Sequence, residues 1–331
     1  MKNYPTLMDT ARRSGKSAEA MAEVLNLANP MLDDIPWKEC NSGVSHITTI
    51  RTGIPKPVWR MLNSGVPNVK STSKQIVAHC GMLEAYAEVD TKLIDLARRN
   101  GGEVGAANYI ASENKAIIEG FGQELARVIF YGDNSKPQEP IGLIHYYNKL
   151  GSLGNETNVL DGGGTTASDN TSIWLVHWGE DTIHGLYPQG SAAGLKENAL
   201  GEHTVKDADG NQFQAYRTHY GWDAGLVVRD WRYGARIANI DVDKVLGQKD
   251  GAMDVLKMLT LATYKLPTKT AAGRSAFYMR KELLTLLDIQ LQQKPNLQLN
   301  YETVEGRKVL TFRGIPLREQ ETLSLKEKLV K

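Results

Sequence analysis

The sequence predicts an α+β fold, because helical and strand patterns occupy separate stretches of the chain. Apolar residues recur at helical spacing up to residue 131, strand-like runs fill residues 171–240, and helical spacing returns after residue 250. With 41% hydrophobic and 23% charged residues, the 331-residue chain has enough apolar material to bury a core. The segregated order is typical of the α+β class, with a boundary expected near residues 241–250.

Residues 1–40 are predicted to form a thin arm of short helices. Ser17 can cap an amphipathic segment, and Asn29-Pro30 ends it. The apolar side of that segment carries Met21, Val24, Leu25 and Ala28. Since little core lies nearby in the sequence, we expect this side to be buried elsewhere.

An extended hairpin is predicted next. Residues 46–51 and 58–62 alternate in strand fashion on either side of the Pro-rich segment 53–57. An isolated two-stranded hairpin is marginally stable in water. Because this one also carries Ile, Val, Trp and Met, it needs a surface to lie on, either in its own domain or in a neighbouring subunit.

Two helices are predicted after the hairpin. The first spans residues 82–99 and stops at Asn100-Gly-Gly102, and the second, longer one spans 106–131 and closes with Gly132 at a C′ position. The apolar stripe of the first comprises Leu83, Tyr86, Val89, Leu93, Leu96 and Ala97. The length of the second is typical of a spine.

The second half of the chain is predicted to be strands followed by helices and a last hairpin. The strand-like runs are 171–178, 183–187, 202–206, 212–219, 226–229 and 235–240, with Asp209-Gly210 as a hairpin turn. Helical stripes then comprise Met253, Leu256, Leu259 and Ala262 before Pro267, and Met279, Leu283, Leu286 and Leu287 before Pro295. The last hairpin joins 297–304 to 307–313 around Glu305-Gly306.

Composition excludes several classes of protein. The formal charge is +1, from 39 basic and 38 acidic residues, with no basic patch at either end, so the chain is not expected to grip nucleic acid. Cys40 and Cys80 are too few for a disulfide framework and are expected to be reduced thiols. The N-terminus has no apolar leader segment, which predicts a soluble protein made in a cytoplasm.

A serine-hydrolase pattern is the sharpest catalytic alternative. Ser71-Thr-Ser-Lys74, Ser168-Asp-Asn170 and Lys269-Thr-Ala271 follow the order of the motifs of penicillin-recognising enzymes. Against it, the last motif ends in Ala instead of Gly, Ser71 does not clearly open a helix, and no export signal is present. Chance co-occurrence of three short motifs is favoured, and covalent labelling of Ser71 by a β-lactam would distinguish the two readings.

Metal and cofactor sites are not expected either. The spacing of His177 and His184 places them on opposite faces of a strand, which favours structural histidines, and the Asp161-Gly-Gly-Gly164 loop lacks a phosphate-binding Lys. Without basic companions, the aromatic residues of this half are expected to be core or interface anchors and not base-stacking platforms; they are Trp174, Trp178, Trp222, Trp231 and Tyr233. We therefore expect no enzyme and no catalytic, cofactor-binding or metal-binding residues.

The order of these parts resembles the major capsid proteins of tailed double-stranded DNA bacteriophages, the Hong Kong phage-type capsid fold, and in particular a short-tailed phage. The resemblance rests on the order of the parts and on two segments that are similar to the axial-domain segments of the family, 273–279 and 309–317. It implies an N-terminal arm at 1–40 and an E-loop hairpin at 41–78. A peripheral domain with spine helix and β-sheet follows at 79–244, and an axial domain at 245–331. Because the sheet precedes the axial-like segment here, a permuted chain order is the hypothesis.

The same resemblance implies a function and partners. The chain would self-assemble in many copies, as hexamers and pentamers, into the icosahedral head that encloses the DNA genome without sequence-specific binding. The partners implied are a separate scaffolding protein, a portal and a decoration protein, with assembly in the host cytoplasm and no membrane. The family's lysine cross-links have no positive signal at Lys56 or Lys70. An encapsulin-like compartment of the same fold is the nearest alternative, distinguished by enzyme cargo.

Overall fold

The structure, a computed structural model, describes residues 29–133, 135–136, 138–206, 211–247, 252–267, 272–293, 299–304 and 307–331. The helix predicted after Ser17 lies outside the described residues, as do the Asp209-Gly210 and Glu305-Gly306 turns.

Six α-helices, two short 3₁₀ helices and thirteen strands are found in the described residues. The α-helices are α1 Met31–Asp34, α2 Thr91–Tyr131, α3 Leu143–Tyr146, α4 Val242–Leu246, α5 Val255–Lys265 and α6 Lys281–Gln293. The first nine strands are β1 Trp37–Glu39, β2 Ser45–Gly53, β3 Thr72–Asp90, β4 Val159–Asp161, β5 Thr171–Trp178, β6 Ile183–Tyr187, β7 Lys196–Lys206, β8 Gln212–Val228 and β9 Gly234–Ile240. The last four are β10 Arg274–Met279, β11 Leu299–Val304, β12 Arg307–Phe312 and β13 Ile315–Glu319.

The strands form one hydrogen-bonded network through the described chain, in the order β11-β12-β13-β10-β5-β6-β8-β3-β2. Branches are made by β1 on β6, β7 on β8, and β9 on β5, with β4 on β9. β10 pairs antiparallel with β5, so the sheet continues across the boundary predicted at residue 244. The division into peripheral and axial domains stays a prediction.

The central strands are buried on both faces. On β5, Trp174 and Val176 face a core that includes α2, whereas Ile173 and Leu175 face a second core beneath α5 and α6. Side chains alternate along a strand, so a continuous apolar run supplies both faces at once. The bounds predicted for β5 and β6 are confirmed, and β8 unites the two strands predicted at 212–219 and 226–229.

The helix predicted at residues 82–99 is wrong over its first half. Residues 82–90 continue β3, which pairs with β2 at one end and with β8 at the other. The buried side alternates at period two, through Leu83, Ala85, Ala87 and Val89, while the intervening side chains are exposed. Because two of these four residues are alanines, the alternation is weak in the sequence. The predicted helical stripe, which also contains Leu83 and Val89, is the stronger pattern.

Helix α2 begins at Thr91, where the Asp90 carboxylate accepts a hydrogen bond from the Lys92 amide. The predicted interruption is confirmed, since Gly102 has φ 65° and ψ −158° within it. Gly132 ends the helix with an ordinary negative φ of −50°, contrary to the predicted left-handed C′ position. A Cβ at Gly132 would lie 2.1 Å from the Pro140 carbonyl oxygen, so close packing is what requires glycine there.

The predicted hairpin is present, but its returning strand was misplaced. β2 pairs with β3, which begins at Thr72, whereas the strand predicted at 58–62 lies in an irregular tip. Pro55, Pro57 and Pro67 lack the amide hydrogen that a ladder needs. Met279 likewise ends strand β10 instead of opening the following helix, while the last hairpin, β11–β12, is confirmed.

Candidate assembly surfaces

The tip of the hairpin, residues 54–71, exposes large apolar side chains. Trp59 is 103% exposed, Leu62 96%, Ile54 82% and Met61 78%. All residues of the tip are described, and none belongs to a strand or helix. Apolar groups of this size clustered in water indicate an interaction surface.

The tip is also basic. Lys56, Arg60 and Lys70 are exposed there, and residues 54–71 include no Asp or Glu. The Arg60 side chain folds back on the tip, where its Nε donates to the Ser64 carbonyl at 2.9 Å. A surface that receives this tip is therefore best matched by carboxylates.

The base of the hairpin is held firmly by the rest of the sheet. β3 pairs with β8 from Cys80↔Gly225 to Asp90↔Ala215. Glu88 forms an ion pair with Arg217 across these strands. Among the described residues, β2 alone pairs with residues 72–79, so the hairpin extends beyond the strands that β8 supports. The exposed tip therefore lies at the end of the hairpin that β8 does not support.

The segment before the hairpin packs within the subunit, contrary to the expectation that residues up to 40 lack a local core. Met31 and Ile35 are buried in the core that includes α2. The buried Asp34 carboxylate accepts hydrogen bonds from Tyr278 Oη at 2.6 Å and from Arg318 Nη2 at 3.2 Å. Burial raises the pKa of Asp34, while Tyr278 and Arg318 oppose that rise.

The C-terminal segment is anchored by a second buried carboxylate. Glu327 Oε2 accepts from Arg236 Nη2 at 2.7 Å and from the Ser172 hydroxyl, and Oε1 accepts from the Tyr131 hydroxyl. Burial and the adjacent Glu327 raise the pKa of Tyr131, which keeps its hydroxyl a donor. The spine helix, the sheet and the C-terminal segment thus meet at one charge pair.

The described residues of the serine-hydrolase motifs lie in separate parts of the fold. Ser71 and Lys74 lie on the projecting hairpin, whereas Asn170 is buried, with its amide donating to the carbonyl oxygens of Thr166 and Glu327. Lys269-Thr-Ala271 lies outside the described residues. The structure assembles no hydrolase site from the two described motifs.

The other flagged residues are structural. His177 Nδ1 lies 2.8 Å from Ser275 Oγ, and His184 is buried on β6. Trp174 and Trp178 are fully buried and Trp222 is nearly so, which confirms these three as core anchors. Within the described residues no group of three or more His, Cys, Asp or Glu is arranged to hold a metal ion. Nor does any helix there have the length and apolar character needed to cross a membrane.

Sequence reasoning missed both carboxylate anchors. Asp34 reaches a partner 244 positions away, and Glu327 one 91 positions away. Neither has a local motif, so no signal in the sequence separates it from a surface acid.

Comparison with known proteins gives one family. The model of the family described as Major capsid protein GP7 matches residues 13–331. A chain in the near-atomic resolution structure of bacteriophage Epsilon15 is 30% identical, with a TM-score of 0.65, over 90% of this chain and 86% of that one. A chain of the bacteriophage JBD30 capsid is 9% identical with a TM-score of 0.49, over 89% and 91%. No curated protein matches significantly.

The family-model match and the 30% identical Epsilon15 chain carry the family assignment. They do not favour the encapsulin-like or the hydrolase alternative. The chain belongs to the Major capsid protein GP7 family, and it is a structural protein of the icosahedral head shell of a tailed bacteriophage.

Proposed function

We propose that the subunit joins its neighbours in the shell by laying the hairpin tip, residues 54–71, onto an adjacent subunit. The exposed apolar side chains of the tip, headed by Trp59 and Leu62, carry this proposal. Burying a few hundred Å² of apolar surface contributes several kcal/mol at ~25 cal/mol/Å², before the cost of ordering the tip. Repeated around a closed shell, one such contact per subunit is sufficient for cooperative assembly.

We further propose that the two cores correspond to the two domains of the fold. The core that includes α2, β3 and β8 would be peripheral, with residues 79–244, and the core beneath α5 and α6 would be axial, with residues 245–331. Residues 41–78 would form the E-loop. The sharing of β5 between the cores supports a rigid connection between these domains.

The proposed role needs no catalytic chemistry. Asp34 and Glu327, the buried carboxylates among the described residues, are each hydrogen-bonded to structural partners. A near-neutral chain, at +1, fits a wall along which packaged DNA slides without being gripped. A separate scaffolding protein, a portal and a decoration protein are the further partners proposed, with assembly in the host cytoplasm.

Replacement of Trp59 tests the tip contact. Because Trp59 is fully exposed in the subunit, Trp59→Ala should leave the subunit's melting temperature unchanged while it weakens assembly at least tenfold in critical concentration. Negative-stain electron microscopy and sedimentation of the purified full chain, alone and with its neighbouring gene products, give the measurement.

A matched control is Leu153→Ala, which removes an exposed apolar side chain, 77% exposed, outside the hairpin. It should assemble like the parent. Normal shells from Trp59→Ala at the parent's critical concentration would contradict the proposed contact. An equal loss of assembly in both variants would show that exposed apolar residues promote assembly wherever they lie, and not specifically in the tip.

A further inference from the structure

The two cysteines, 40 positions apart in the chain, meet at the base of the hairpin. Cys40 Sγ and Cys80 Sγ are 3.4 Å apart, and both thiols are free. Cys40 follows β1, and Cys80 lies within β3. Ala78, Leu186 and Val227 surround the pair as a small apolar cluster.

Backbone hydrogen bonds hold both cysteines in place. The Cys40 amide donates to the Tyr187 carbonyl at 2.8 Å, and the Cys80 amide donates to the Val44 carbonyl at 2.9 Å. Opposite Cys80 stands Gly225, where a Cβ would lie 3.2 Å from the Cys80 sulfur. The absence of a side chain at Gly225 leaves space beside the Cys80 sulfur, which lies 3.4 Å from the Cys40 sulfur.

We propose that Cys40 and Cys80 are a latent disulfide site, which closes when the protein leaves the reducing cytoplasm and meets an oxidising low-molecular-weight disulfide. The bond would tie the N-terminal segment to β3 and enclose residues 41–79, the whole projecting hairpin, in a covalent loop. Closure brings the sulfurs from 3.4 Å to about 2.05 Å.

The chemistry is a pair of thiol–disulfide exchanges. One of the two thiolates attacks the small disulfide and releases one small thiol, leaving a mixed disulfide on that cysteine. The other thiolate then attacks the protein sulfur of the mixed disulfide and releases the second small thiol. The protein loses two protons and two electrons, and the small disulfide takes them up as two thiols.

Burial explains why the site stays open during synthesis. It raises the pKa of both the Cys40 and the Cys80 thiol, so little thiolate is present at neutral pH. Oxidation is therefore slow, and cytoplasmic glutathione keeps both thiols reduced. The hairpin assembles first and is fastened afterwards.

The test treats the full-length protein, both as assembled shells and as unassembled subunits, with oxidised glutathione. Thiols are then counted under denaturing conditions, and peptides are mapped without reduction. We expect two thiols before treatment, none after it, and one Cys40–Cys80 cross-linked peptide pair in both preparations. The melting temperature of the oxidised subunit should rise by roughly 5 °C, and a reductant should reverse this rise.

Cys40→Ser and Cys80→Ser are the matched controls, and neither should gain stability from the oxidant. Two thiols still titratable after prolonged treatment would overturn the proposal. So would a stable glutathione adduct, or cross-links between subunits on a non-reducing gel. Because the thiol count is made on the parent protein, it decides the question even if a variant fails to fold.

Discussion

The buried ion pair between Arg236 and Glu327 makes the stability of the subunit depend on single side chains. Both side chains are almost completely buried, at 1% and 4% exposure. Arg236 also donates to Ser172 Oγ at 2.9 Å and to the Tyr147 carbonyl at 2.8 Å, and its guanidinium lies 5.1 Å above the ring of Trp174. Such a pair adds little over a well-packed apolar substitute, but loss of one partner leaves a buried charge uncompensated.

Glu327→Gln should therefore lower the free energy of unfolding of the unassembled subunit by about 3–5 kcal/mol, because it keeps the shape and removes the charge that Arg236 needs. Urea denaturation measures this change. The control is Glu180→Gln, which breaks the exposed pair between Lys38 and Glu180 and should cost less than about 1 kcal/mol. A similarly small effect at Glu327 would show that the buried pair is dispensable.

A second buried residue predicts a dependence on pH. His184 is fully buried on β6, and the His46 ring meets it edge-on at 5.9 Å between centroids. Burial, assisted by His46, Lys38 and Arg229, lowers the pKa of His184 to about 4. Burial lowers the pKa of His46 as well. Both rings are therefore neutral in the folded subunit at neutral pH.

The unfolded chain takes up a proton on His184 near pH 6.5, whereas the folded chain resists until about pH 4. The free energy of unfolding should consequently fall by up to about 3 kcal/mol as the pH drops from 6.5 to 4, and should be level above 6.5 with respect to this group. Urea denaturation across this range measures the slope. His184→Phe should make it shallower by the contribution of this residue, while His203→Gln, at an exposed histidine, should leave it as steep as in the parent.

A strand or helix could be predicted from the sequence when local residues determine it, and could not when strands distant in the sequence do. β5 and β6 are buried along nearly their whole lengths, and Gly179 and Pro188 follow them directly, so their local sequence defines them. β3 is different, because its first residues pair with β2 and its last residues with β8, which lies more than a hundred positions later. Residues 82–90 are therefore a strand because of tertiary pairing, although their local apolar pattern predicts a helix.

The candidate assembly surfaces also include features that the sequence predicts and features that it does not. The need of the hairpin for a surface to lie on could be predicted, because an isolated hairpin is marginally stable and this one carries Ile54, Trp59 and Met61. The anchors at Asp34 and Glu327 could not, because their partners come from distant elements. The pairing of Cys40 with Cys80 was equally invisible, since it follows from the way β1 and β3 approach β6 and β8.

The whole molecule combines a nearly neutral chain with a locally basic tip. The formal charge is +1, yet residues 54–71 carry three cations and no acid, so the remainder of the chain is slightly acidic. Complementary charge of this kind steers association and raises its rate 10- to 1000-fold at low salt. Assembly through the proposed tip contact is thus expected to be salt-sensitive, even though apolar burial supplies its stability.

The rate of shell assembly, followed by light scattering, should fall about tenfold between ~0.05 M and ~0.5 M sodium chloride, because the screening length contracts from roughly 14 Å to 4 Å. A variant with Lys56, Arg60 and Lys70 all replaced by Gln should assemble slowly at low salt and lose most of that dependence. The matched control replaces three exposed lysines elsewhere, Lys115, Lys265 and Lys328. If the control loses its salt dependence as fully as the tip variant, general charge, and not the hairpin, steers the subunits together.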